Sequence, residues 1–273
     1  MPARLSRVVV IGVAAVLLLG VTTGAYADSI FATDNHGNLY SVTTTGAIST
    51  IGQTKLGSTT IVLSDIAICC TGGTTQFLGI DSGSTLYAIN PNTAALTSIG
   101  PTGNVYNALA FANGTLYAAG NSIFSSINTT TGAGHVIGNN GGFASSGDLV
   151  FTGSVMLETV AAGTDRLATV NLLTGIATLG ANTTQHSILG LCYINGVLYG
   201  FNSDGWFFSI NPTSGGLNYI SQFKDATGAN IFFTGAACCD TPQQQLLAEP
   251  GSVMLLLSGL TAVGLVGRRR WLR

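Results

Sequence analysis

Apolar and polar residues alternate in short runs through most of this chain, and Gly, Asn, Asp, Ser and Thr separate the runs. A period of two between turn-forming residues predicts β-strands. One phrase recurs: an apolar strand, then Asn-x-x-Thr-Gly or a near variant, then a short strand closing on Ile-Gly or its equivalent. It reads LYSVTTTGAISTIG from Leu39, LYAINPNTAALTSIG from Leu86 and IFSSINTTTGAGHVIG from Ile123. It returns as RLATVNLLTGIATLG from Arg166 and WFFSINPTSGGLNYIS from Trp206. The closing residues Ile51, Ile99, Ile137, Leu179 and Ile220 are spaced by 48, 38, 42 and 41.

Two further apolar stretches precede the phrase. Around Asn113-Gly114 they are Ala108–Phe111 and Thr115–Ala119; around Asn195-Gly196 they are Leu189–Tyr193 and Val197–Phe201. Asn-Gly between apolar runs predicts a tight hairpin, because both central residues need positive φ. Four short antiparallel strands in about 40 residues match a β-propeller blade. The first repeat lacks its innermost strand, and the stretch Asn230-Ile-Phe-Phe233 has the character to supply it. The expected fold is all-β, a five-bladed β-propeller closed by strands from both termini, which leaves no exposed sheet edge at the seam. A parallel β-helix is the alternative.

The two ends read differently. Arg4 and Arg7, an apolar run from Val8 to Val21 and Ala25-Tyr26-Ala27 make a secretory signal peptide over residues 1–27. The repeat domain then spans 28–241 and a linker 242–248. From Gly251 to Gly267 runs an uncharged, mostly apolar stretch, followed by Arg268, Arg269, Arg270 and Arg273. Its length is at the short end of a membrane-spanning helix, and the arginines set their side in the cytoplasm. Ala248-Glu249-Pro250, the apolar helix and the arginine cluster resemble the PEP-CTERM sorting signal, a tail also named the ice-binding-protein C-terminal domain. Ala248 stands where the hallmark has proline, and the resemblance covers residues 249–273 with the preceding alanine. It implies recognition by an exosortase after signal peptidase has acted, and release to the cell surface or an exopolysaccharide matrix. The name says nothing about ice binding by the repeat domain.

Charge is sparse. Only Lys55, Arg166 and Lys224 are basic in the repeat domain, against ten acidic residues outside the tail. Nucleic-acid binding needs a basic patch, so that class is set aside. His36, His135 and His186 have no metal-ligand spacing, and the chain has no Gly-x-Ser-x-Gly and no phosphate-binding loop. Asp34, Asp81, Asp165 and Asp204 fall at hairpins between second and third strands, where Asp bonds its own backbone. Asn113, Asn128 and Asn182 match the glycosylation pattern but read as turn residues. Tyr40, Tyr87, Tyr117, Tyr199, Trp206 and Phe207 recur at strand positions and are expected to pack between blades.

Two sets of residues remain. Cys69, Cys70, Cys238 and Cys239 are disulfide candidates in an exported chain; a bond between the two pairs would lock the ring, with Cys192 left as a buried thiol. Asp65, Asn107, Asp148, Ser187 and Asn230, spaced by 42, 41, 39 and 43, each precede an apolar innermost strand. They are the candidate binding residues, a ring at one mouth of the central channel, with calcium as the plausible ion and backbone bonding as the alternative. No catalytic residue and no other cofactor is expected. The expected function is a non-catalytic binding or scaffold propeller for carbohydrate or another surface protein; the alternative is a secreted hydrolase of glycans or lactones.

Overall fold

The alternation resolves each repeat into a twisted antiparallel sheet. The computed structural model describes residues 29–69 and 75–239. The signal peptide, Ala248, Glu249, Pro250 and the terminal arginines lie outside the described residues. Blade one contains β1 (Ile30–Asp34), β2 (Asn38–Val42) and β3 (Ile48–Gln53), and a small hairpin follows, β4 (Lys55–Leu56) with β5 (Thr59–Thr60). Blade two is β6 (Leu63–Cys69), β7 (Gln76–Asp81), β8 (Thr85–Ile89) and β9 (Leu96–Pro101). Blade three is β10 (Ala108–Ala112), β11 (Thr115–Gly120), β12 (Ile123–Ile127) and β13 (Gly134–Asn139). Blade four is β14 (Ser145–Phe151), β15 (Met156–Ala162), β16 (Thr164–Val170) and β17 (Ala177–Asn182). Blade five is β18 (Ile188–Ile194), β19 (Val197–Asn202), β20 (Trp206–Ile210) and β21 (Leu217–Gln222). The last strand, β22 (Phe233–Cys238), pairs antiparallel with β1 and becomes the innermost strand of blade one. The chain is a five-bladed propeller closed by strands from both ends of the repeat domain.

The closing strand is not the one the sequence suggests. Asn230–Phe232 lie in the approach to it, and Phe233-Thr-Gly-Ala-Ala-Cys238 forms the ladder. Apolarity misleads here because space at the axis is short. Gly235 sits so close to Asp65 that an added Cβ would meet its Oδ1 at 2.4 Å. Small residues mark the closing strand, and the bulky Phe233 packs just before them.

Apolar side chains fill the five interfaces between blades, each with its own cluster. Between blades five and one, Tyr40, Phe201, Phe207 and Phe233 are buried together, with Phe201 stacked 4.7 Å from Phe207 and edge-on to Phe233 at 5.0 Å. Between blades two and three, Tyr106, Leu109 and Leu116 do the same work. Burying each large side chain contributes about 1.5–3 kcal/mol, so the interfaces carry most of the favourable free energy.

The recurring phrase has a mechanical meaning. In the third and fourth strands of every blade the ladder slips by one residue at a bulge. In blades two and three the closing glycine lets the turn of the next blade dock against the bulged strand. A Cβ at Gly100 would lie 2.3 Å from the carbonyl oxygen of Thr131, and one at Gly138 would lie 2.0 Å from that of Thr174. The Asn of the docking turn accepts backbone N–H groups two and three residues on, as Asn128 does at 2.9 and 3.0 Å. Asn113, with φ of 51°, occupies the hairpin turn expected from Asn-Gly. The acidic turn residues also act on their own hairpins. Asp34 accepts from His36 N, Asn38 N and the Tyr40 hydroxyl, and Asp81 accepts from Thr85 N and the Tyr87 hydroxyl.

Ring closure through β22 generates a direct test. A chain ending at Phe232 leaves β1 without its inner partner and removes Phe233 from the seam. It is expected to lose cooperative melting by circular dichroism and to aggregate on size exclusion. A monomeric, cooperatively melting product would show that blade one is stable with three strands.

Candidate functional site at the propeller axis

The innermost strands β6, β10, β14, β18 and β22 surround the axis. Ladder register aligns them: Ile66 opposite Gly79, Leu109 opposite Ala118, Leu149 opposite Glu158, Leu191 opposite Gly200 and Ala236 opposite Ala32. The residues just before these are Asp65, Ala108, Asp148, Gly190 and Gly235. Two carboxyl groups therefore share this level with three of the smallest residues, and a Cβ at Gly235 would collide with Asp65.

Asp65 and Asp148 are fully buried. Asp65 accepts from its own Ile66 N at 2.8 Å and from Leu109 N of the next blade at 2.5 Å. Asp148 repeats the arrangement, accepting from Leu149 N at 2.5 Å and from Leu191 N of blade five. The two side chains are hydrogen-bonded to each other, and the backbone of Ala236 in the closing strand also bonds Asp148. Together they satisfy N–H groups on all five inner strands. Burial, then the Asp148 charge, pushes the Asp65 carboxyl well above the usual range. Burial raises Asp148 as well, while the bonds from Asp65 and the backbone pull it part of the way back. The pair retains a proton, shared between the two carboxyl groups.

The other three members of the expected ring are elsewhere. Asn107 is half-buried and donates to Ser145 O at 3.3 Å. Ser187 adopts φ of 54° in the entry loop, where its carbonyl accepts from Ser203 N. Asn230 is exposed and bridges to Lys224. The alignment slips because inner strands begin with irregular register, between Leu63 and Asp65, Ser145 and Leu149, and Ile188 and Gly190. The first apolar residue is therefore not a fixed landmark. These five residues do not converge, and among the described residues no group of three or more His, Cys, Asp or Glu is placed to hold a metal ion. Calcium at this ring is corrected accordingly: the carboxyl oxygens are taken by amides and by each other.

From the carboxyl pair toward the other end, the inner strands enclose a cavity of about 240 Å³. Its walls include Leu109, Val150 and Leu191, together with the half-buried Ile68, Phe111, Phe151 and Tyr193. Neither Asp65 nor Asp148 lines it. The arrangement offers an aromatic-edged seat of mixed polarity whose lining holds no charged side chain.

Cysteines border the same cavity. Cys192 of blade five is bonded to Cys238 of the closing strand, with Cα atoms 5.4 Å apart. The expectation that Cys192 remains a thiol is corrected: its side chain faces blade one, where β22 arrives. Cys239 is disulfide-bonded too. Cys69 carries a half-buried thiol, and Cys70 lies outside the described residues.

No family model matches the chain, and no curated protein matches it. Among solved structures it is similar to a structure of U3-55K, at 11% identity and a TM-score of 0.43. The match covers 70% of this chain and spans 59% of that one.

Two predictions arise here. Glu158, buried in β15, is raised by burial to about 7, the same direction as Asp65 and Asp148. All three hold protons more tightly folded than unfolded, so their contribution is largest below the unfolded pKa and is lost as pH rises through the folded one. The urea midpoint is expected to fall between about pH 5 and about pH 8, and a flat or rising profile would contradict the assignment. Second, peptide mapping without reductant is expected to recover Cys192 linked to Cys238. For the 46-residue separation of this bond, replacing both cysteines by alanine should cost about 4 kcal/mol in the chain-entropy model.

Proposed function

We propose that this chain is an exported protein of the cell surface or extracellular matrix, with a non-catalytic propeller that binds or scaffolds carbohydrate or another surface protein. Signal peptidase and an exosortase are its processing partners, acting at residue 27 and at the Ala248-Glu249-Pro250 tail. Before processing, the C-terminal apolar stretch holds it at the inner membrane. The observation that carries the reading is the Cys192–Cys238 bond at the ring seam, because structural disulfides belong to oxidising compartments outside the cytoplasm. A surface of hydroxyls and amides with three basic residues suits the same setting.

The axial cavity is the proposed seat. Phe111, Phe151 and Tyr193 offer ring surface to the apolar face of a sugar or to an apolar side chain of a partner. The clustered pair Asp65 and Asp148 is what a hydrolase would need. Their burial and backbone bonds keep them off the cavity wall, so the binding reading is preferred.

The disulfide-intact repeat domain should retain saccharides on a glycan array, and Tyr193→Ala or Phe151→Ala should weaken retention at least tenfold while melting remains cooperative. Equal retention by both variants would remove the cavity from the proposal. Release of reducing ends from the retained glycan would replace the binding function with the hydrolase.

A further inference from the structure

The repeat supplies its own control for what belongs at each position. Glu158 stands in β15 opposite Leu149, and the matching positions in the other blades are Ala32, Gly79, Ala118 and Gly200. Four blades thus place the smallest side chains where blade four places a long carboxylate. A second departure faces it. After the outermost strand, Thr54, Thr102 and Thr183 each use their hydroxyl to bond a carbonyl of the adjoining hairpin. After β13 that position is Asn140, whose Nδ2 donates to Glu158 Oε2 at 2.7 Å.

Glu158 and Asn140 are fully buried. Three oxygens of this group lack a well-formed hydrogen bond within the protein: Glu158 Oε1, Asn140 Oδ1 and Ser145 Oγ. The Ser145 hydroxyl makes a marginal hydrogen-bond approach to the Glu158 carboxyl that favours its charged form, and Ser145 is itself only half-buried. Two of the three atoms are acceptors with nothing to donate. Once ionised, the buried Glu158 carboxylate needs a counter-charge, and its surroundings among the described residues supply none. In β14, Asp148 is committed to the axis, and in β16, Asp165 bonds Ser146 Oγ and Ile188 N. Arg166 spends its guanidinium on Gly180 O, His135 in β13 is exposed, and Tyr117 is the titratable group of β11.

We propose that Glu158, Asn140 and Ser145 form a binding site for one hard cation, buried between blades three and four. The donors are a carboxylate, an amide carbonyl and a hydroxyl, the oxygen set that calcium accepts, with water completing its shell. The inference is independent of the exported-binding reading and of the axial cavity.

The test is thermal melting of the repeat domain, stripped with chelator, in calcium, magnesium or potassium chloride, against choline chloride at equal ionic strength. One of the metal salts should raise Tm in the unmodified protein, and Glu158→Gln should abolish that rise. If no metal ion exceeds choline, the group is satisfied by a proton and water and the site is refuted. An equal rise in Glu158→Gln places the ion elsewhere and refutes it too. Should Glu158→Gln fail to fold, equilibrium dialysis and elemental analysis of the unmodified protein and of Ser145→Ala decide. One equivalent of metal, held more weakly by the variant, supports the site; no bound metal, or equal affinity, overturns it.

Discussion

Five strand backbones converge on the propeller axis, and the N–H groups that face inward there have no neighbouring strand to bond. An unpaired buried N–H costs about 1–3 kcal/mol, so the centre needs acceptors brought from elsewhere. Asp65 and Asp148 supply them, each reaching across a blade boundary. The remaining choices at the axis follow from that. Asp65 crowds Gly235, and the closing strand in turn crowds Gly190 through Ala236, so both positions must be small. The closing strand must also be small where it passes Asp65 and bulky only before it. Two acids this close cannot both be charged, and the shared proton is the condition for having them there.

Away from the axis, packing between blades dominates. Each interface buries apolar side chains from both neighbours, while short repeated contacts at the rim fix how each blade sits on the next. Blade four departs from its siblings at Glu158, and the connection before it departs at Asn140. In a repeat protein such exceptions stand out against internal references, four for Glu158 and three for Asn140, which a single-copy fold does not provide.

Much of the architecture was legible in the sequence. The Asn-Gly hairpin at Asn113 and the recurring closing glycine reported four strands per repeat, since both depend on local backbone geometry. The structural use of Asp34 and Asp81 was legible for the same reason. The closing strand and the axial ring were misplaced because their positions depend on crowding, not on apolar pattern: Gly235-Ala-Ala looks like a loop until Asp65 is set beside it. The Cys192–Cys238 pairing was out of reach because which neighbour a strand faces is a tertiary fact. Glu158 could have been found by lining up the second strands, where one long acid interrupts a column of Gly and Ala.

The seam has a consequence in time. A chain is made from its N-terminus, and β1, buried at every residue in the finished ring, emerges about 200 residues before β22 exists to pair with it. Through that interval its inner edge has open hydrogen-bonding groups and can pair with any extended segment that comes near. Faithful assembly therefore requires β1 to be kept apart from other chains until the last strand is delivered. The ring is sealed in a single late step, after which the cysteines at the seam hold it shut.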